Sequence, residues 1–355
     1  MRIVHSSCLV ALLAACAAAS AGASPVAAAT RPSVESPVPA WLAPSGTSFR
    51  TSSLDERGIR RLASIGWRGG RFVTSAGVVS VRISAAYAAD TGAAQRWADF
   101  FASLVHGSEL GLLDAYIAPL GEVETICGGP GALGCYGANR LVSVGDSSGG
   151  IAPESVAAHE YGHHVAYNRV NPPWNAEAWG TKRWATDMGI CSRTAAGTAF
   201  PGDEGGAYTL NPGEAFAETF RVLNETQAGL PLTWPIVDAS FLPDAAALAA
   251  TRDDVLQPWT PRAATILHGR FARGRRTWSF KLAAPLDGEL SARLTAGAGG
   301  LDLLAADGRT VLAQGAWAVG GGKSVTYQVC GRRTFVIRLT RGGAGRAFTL
   351  RLSTP

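Results

Sequence analysis

The chain has 355 residues, 47% of them apolar and 17% charged, which is too long for one ordinary core and too apolar for a disordered chain. A main domain of about 200 residues followed by a smaller one is the expectation. The net charge of +5 is uneven: from residue 262 onward 15 Arg or Lys stand against 4 Asp or Glu, whereas residues 1–261 carry 17 against 23. A basic module of that kind can adhere to an anionic cell-surface polymer, whereas no Walker, dinucleotide or specific nucleic-acid motif is present.

Residues 1–23 have the layout of a secretory signal peptide: Arg2, the apolar run CLVALLAACAAAS, and small residues ending at Ala21-Gly22-Ala23, with a second cleavage option after Ala29. The run is too short to span a bilayer, and no other segment reads as transmembrane. Leu13-Ala14-Ala15-Cys16 resembles a bacterial lipobox, which implies lipid anchoring through Cys16 as the rival to free secretion. Removing the signal leaves Cys127, Cys135, Cys191 and Cys330, an even number for an oxidising compartment. Of three connectivities, the Gly/Pro turn GGPGALG favours Cys127 with Cys135, which leaves Cys191 to meet Cys330 and staple the two domains.

Residues 24–47, rich in Pro, Ser and Ala, read as a linker or short pro-segment, with order beginning near Leu54. Residues 71–84 suggest one or two strands. Residues 93–105 suggest a helix with Trp97, Phe100, Phe101 and Leu104 on one face. Residues 113–126 and 139–144 read as extended segments flanking the cysteine turn. Pro153 suits the first turn of a helix running through Val165 or beyond, with Glu154 at its positive end. An irregular connection follows from Pro172-Pro173, and Pro212 opens a helix carrying Glu214 to Val222. Residues 244–256 form a further helix. From Trp278 the runs TWSFKL, ELSARLTA, LDLLAA, SVTYQV, TFVIRL and AFTLRL alternate between Gly and Asp-Gly turns, the pattern of a β-sandwich.

His159-Glu160-Tyr161-Gly162-His163 is an HExxH motif on the expected Pro153 helix. Residues four apart share a helix face, so both imidazoles can reach one ion while Glu160 overhangs its open side. A catalytic zinc needs a third protein ligand. Ala166 and Arg169 stand where a metzincin has Gly and His, but GEAFAETF supplies Glu214 and Glu218 on one face of a second helix; by spacing alone either could be the ligand. HEYGHH followed by GEAFAETF resembles the gluzincin metallopeptidases, compact ones similar to the anthrax lethal factor catalytic domain, over roughly residues 110–222. That resemblance implies Glu214 as third ligand, Glu218 as acceptor for a ring N–H of His159, Glu160 as general base, and Tyr208 as hydrogen-bond donor to the oxyanion. It also implies that a peptide substrate lies as an added strand beside the active helix, and residues 113–126 are the expected edge. Gly180-Thr181 followed by Asp187 resembles the aspzincin pattern, which makes Asp187 an alternative ligand. His164, turned about 100° from the ligand face, suits packing, and His106 and His268 stand alone.

The C-terminal runs resemble the bacterial pre-peptidase C-terminal family through the opening aromatic strand, the LDLLAADG hairpin and the closing AFTLRLS strand. The expected fold is therefore α+β, a zincin-like metallopeptidase domain over residues 48–261 followed by a small all-β sandwich over residues 262–355. The expected function is a secreted endopeptidase holding one zinc per chain. The alternative is a surface- or wall-binding protein with a metal-stabilised but inactive zincin domain.

Overall fold

A computed structural model describes residues 50–296, 299–319, 321–344 and 346–355; the expected signal peptide, Cys16 and the 24–47 linker lie outside the described residues. The N-terminal part of the described chain is built on a six-stranded sheet. Its strands are β1 (Arg50–Ser53), β2 (Trp67–Thr74), β3 (Gly77–Ser84), β4 (Asp114–Ala118), β5 (Ala132–Gly137) and β6 (Arg140–Val144), in the order β1-β5-β6-β4-β3-β2. Strands β3, β4 and β6 run parallel in the middle, β2 folds back on β3 as a hairpin, and β5 folds back on β6. Strand β1 pairs in parallel with β5.

Three helices interleave with the strands: α1 (Glu56–Ser64), α2 (Ala93–Ser103) and α3 (Leu120–Ile126). Asp55 caps α1 by accepting from the Gly58 N–H at 2.7 Å. Helix α2 buries Ala94, Ala98 and Phe101 against β2 and β3, with Trp97 and Phe100 half-buried beside them. The expected extended segment 113–126 is corrected here. Only β4 is extended; Pro119, which has no N–H to give a ladder, caps α3, whose Val123 and Ile126 turn inward. Strand β4 lies between β3 and β6, buried over Ala115 to Ala118, so it offers no free edge to a substrate.

The sheet is covered by α4 (Pro153–Tyr167), which packs on β5 and β6 and on the long helix α8 (Pro212–Gln227). Between them the stretch expected to be irregular holds α5 (Ala176–Trp179), α6 (Lys182–Asp187) and α7 (Ile190–Ala195), each too short to show a period. Helix α9 (Ala245–Leu256) is capped by Asp244, which accepts from the Ala247 N–H at 2.9 Å, and packs on α6 and α8.

Residues 265–353 form two sheets around a separate apolar cluster. Strands β11 (Val311–Gln314), β10 (Gly300–Ala305), β14 (Arg333–Thr340) and β8 (Thr277–Ala284) make one sheet. Strands β12 (Ala316–Trp317), β13 (Lys323–Val329), β9 (Gly288–Ala296), β15 (Ala347–Ser353) and β7 (Thr265–Arg270) make the other. Along β15, Phe348, Leu350 and Leu352 point into the cluster and Arg351 outward, the two-residue alternation of a half-buried strand. Each of the six expected runs carries a strand, and β7, β11 and β12 lie outside those runs. The cluster meets the helical body at α6 and α7, where Cys191 bonds Cys330, Arg332 pairs with Asp187, and Thr186 Oγ1 accepts from the Asp287 N–H at 3.0 Å. The other disulfide joins Cys127 to Cys135. No helix among the described residues is long and apolar enough to cross a membrane.

Candidate metal centre

Both helices that frame the centre open on a proline, Pro153 and Pro212, and Asn211 caps α8 by accepting from the Gly213 N–H at 3.0 Å. How closely they approach is set inside the HEYGH motif. A Cβ on Gly162 would lie 2.6 Å from the Ala217 Cα, so only glycine lets the α8 backbone come this near. Ala217 sits between Glu214 and Glu218 in sequence, and the contact therefore presses both carboxylates toward the α4 histidines.

The result is a triangle of donors. His159 Nε2 lies 3.2 Å from His163 Nε2 and 3.2 Å from Glu214 Oε2, and His163 Nε2 lies 3.3 Å from Glu214 Oε1. Ligands bound to a tetrahedral ion at 2.0–2.1 Å are about 3.3–3.4 Å apart, so the triangle has the dimensions of one face of such a site. His159, His163 and Glu214 could hold a metal ion. Asp187, the alternative ligand, is instead engaged by Arg332. His106 and His268 lie against Gly107 and Thr349, outside the group.

The orientation of His159 follows from its other nitrogen. Nδ1 lies 3.3 Å from Glu218 Oε2 and donates its N–H to that carboxylate, which leaves the Nε2 lone pair aimed into the triangle. Arg221 Nε donates to Glu218 at 2.6 Å, and Arg221 also pairs with Glu225, to which Ser155 donates at 2.6 Å. Burial would raise the pKa of Glu218, but Arg221 and His159 hold it down at about 2. Burial would likewise lower the pKa of His159, yet Glu214 and Glu218 lift it to about 10. The pocket thus attracts a positive charge, and a proton and a cation compete for the same lone pairs.

His164 faces away, as its helix position requires. Its Nε2 donates to the Glu109 carbonyl at 2.8 Å and its Nδ1 accepts from Tyr136 at 3.1 Å, while burial lowers its pKa to about 4. The Glu109 carboxylate pairs with Arg169 at 2.7 Å. This network anchors α4 without touching the metal triangle.

Glu160 is fully buried, and neither carboxylate oxygen has a hydrogen-bond partner among the described residues. Burial pushes its pKa well above the ordinary carboxylate range. Space for it is made by Gly134 of β5, where a Cβ would lie 2.5 Å from Glu160 Oε1. Sequence reasoning missed Gly134 because one glycine in a Gly-rich turn region carries no signal of what lies across from it. Tyr208 donates to Glu214 Oε2 at 2.7 Å, so its hydroxyl braces the candidate ligand; an oxyanion role requires it to leave that carboxylate. A cavity of about 240 Å³ opens on the centre, lined by Ser53, Tyr136, His163, Glu177, Glu204 and Glu214. A larger cavity of about 630 Å³ lies by the start of α4, between Phe100, Leu104, Ser155 and Asn224, with no histidine in its wall.

No protein-family model matches the chain, and no curated protein matches it. Among solved structures, the chain is similar to the pre-peptidase C-terminal domain of a collagenase from Bacillus anthracis. The identity is 17% and the TM-score 0.22, over 26% of this chain and 88% of that domain. A similarity of that size assigns the chain to no family.

Proposed function

We propose that the protein is a secreted zinc endopeptidase, with His159, His163 and Glu214 as ligands of one zinc per chain and Glu160 as general base. The observation that carries this reading is the 3.2–3.3 Å donor triangle beside a buried carboxylate that has no hydrogen-bond partner among the described residues. Two imidazoles and a carboxylate with one position left open are the donor set of catalytic rather than structural zinc. Zinc held there supplies Lewis acidity, acidifying water and polarising a peptide carbonyl.

The chain's own residues do the rest. Glu218, charged and clamped by Arg221, keeps His159 in the tautomer that presents Nε2. Glu160 would take the proton of the attacking water and return it to the leaving amine, and no hydrogen-bond partner among the described residues holds its oxygens back from that water. Tyr208 braces Glu214 in the resting site. The two disulfides suit an extracellular protein.

Elemental analysis and hydrolysis of an unfolded protein such as casein test the assignment, in the wild type and in Glu160→Gln and Glu214→Ala. The expectation is one zinc per wild-type chain, a roughly thousand-fold loss of activity in both variants, and loss of metal only in Glu214→Ala. Zinc without hydrolysis in any form of the chain would favour the metal-stabilised binding protein, and no zinc at all would remove the basis of both readings.

A further inference from the structure

Strand β1 occupies a place that matters to the centre. Its register sets Thr51 opposite Gly134, the residue packed against Glu160, and Ser53 opposite Tyr136. Ser53 and Tyr136 then line the same cavity as His163 and Glu214. The Leu54 N–H donates to the Tyr136 carbonyl at 2.8 Å, and Leu54 is buried, so the strand is anchored where it leaves the sheet. In the described residues β5 is paired on its inner side by β6 and on its outer side by β1. An edge strand offers one row of backbone donors and acceptors, and only one partner can use it at a time.

On the peptidase reading a substrate lies as an added strand beside the active helix, and β5 is the strand that touches Glu160; we propose that residues 50–53 occupy its outer edge as a built-in competitor, so that the chain is latent until this segment is released. The inference rests on the reading of the His159–Glu160–His163 centre as a peptidase site, because β5 gains its importance from touching Glu160. Paired backbone groups give affinity with little regard to side chains, which suits the run Arg50-Thr51-Ser52-Ser53 with its lack of an apolar alternation. A tethered strand competes at an effective concentration of roughly millimolar, enough to outcompete a dilute free peptide of the same intrinsic affinity. Release by cleavage just before Leu54 would free the β5 edge while leaving Leu54 and α1 in place.

The test uses a fluorescent peptide of residues 46–53, GTSFRTSS, and measures its binding by polarisation to three chains that carry Glu160→Gln so that nothing is cut. The three are the full chain, the chain beginning at Leu54, and the full chain with Thr51→Pro and Ser52→Pro. Of the two adjacent N–H groups that the prolines remove, one faces β5, so the pairing is weakened whichever residue carries it, and the question stays open if the shortened chain fails to fold. Both opened chains should bind the peptide at least ten-fold more tightly than the full chain. With Glu160 restored, both should cleave an unrelated peptide with at least a ten-fold higher kcat/KM. Equal binding by all three chains would overturn the proposal. Tighter binding by the opened chains with no cleavage by their Glu160-containing forms would uphold the docking edge and discard the peptidase reading.

Discussion

The helical body and the β-sandwich bury very different things. Around the helices, Glu109, His159, Glu160, His164, Lys182, Glu214, Glu218, Arg221 and Asp254 are all buried, whereas among the described residues of the sandwich Asp287 is the one buried charged or polar side chain, and it lies at the junction. The sandwich interior is otherwise Leu, Val, Ile, Ala and Phe. Charges leave water only at a cost of several kcal/mol unless paired or bound to a metal. Where a fold tolerates so many of them together, packing alone does not explain the choice of residues. In the body most of them are paired, Glu109 with Arg169, Glu218 with Arg221, Asp254 with Arg183 and Glu214 with Tyr208, whereas the Glu160 carboxylate has no hydrogen-bond partner among the described residues.

Substitution at Gly162 should separate the two regions most sharply. In Gly162→Ala the added carbon meets backbone of α8, which cannot swing aside as a side chain would. Ligand distances in a metal site tolerate only about ±0.2 Å, so if the triangle holds zinc as proposed, its affinity should fall about a thousand-fold, or about 4 kcal/mol, in competition with a chelator. Leu303 is fully buried in the sandwich. Leu303→Ala should cost about 3 kcal/mol in denaturant unfolding and leave zinc stoichiometry and kcat unchanged. If it also releases zinc, the two regions are not the separate systems their burial suggests.

A smaller effect is expected from Gly134→Ala. Its added carbon meets the Glu160 side chain, which can move, so on the proposed reading the fold and the bound zinc should remain while the base is displaced. The expected outcome is a fall in kcat of about a hundred-fold with KM nearly unchanged. Retained kcat would mean that Glu160 is not held by β5.

What could be read in advance follows the range of the interactions. The α4 histidines were legible because a spacing of four is a local property of a helix. The sandwich strands were legible because alternation is local too. Glu214 and Glu218 are visible as a pair on one helix face, but that Glu214 reaches both His159 and His163 while Glu218 reaches only the far nitrogen of His159 depends on the Gly162–Ala217 contact between residues 55 apart, and no local pattern reports it. Strand β1 escaped notice because Thr and Ser with no apolar alternation look like linker; its pairing is carried by backbone. Residues 113–126 misled because the apolar positions of β4 and α3 run together, although Pro119 between them is where the ladder has to stop.

The junction between body and sandwich supplies the smallest effect and a direct check on how dry that contact is. Lys182 lies beside the β8–β9 turn, where a Cβ on Gly288 would meet its Nζ at 2.7 Å, and it donates to the Pro172 carbonyl at 2.8 Å. Trp259 packs 4.8 Å from the ammonium. Burial lowers the Lys182 pKa from 10.5 to about 8, outweighing Asp287 and Asp254, which pull the other way. The charged form is therefore disfavoured in the fold. Below pH 8 both folded and unfolded chains carry the proton and the penalty is constant. Between pH 8 and 10.5 the unfolded chain binds the proton more tightly, so stability climbs with pH, and above that the penalty is gone. Comparing Tm of the wild type with that of Lys182→Met isolates this residue from every other titration. The wild type should gain on the variant by a few degrees between pH 8 and 10, because the methionine has no proton to lose. A difference that stays flat across that range would place the ammonium in contact with water and the junction open to it.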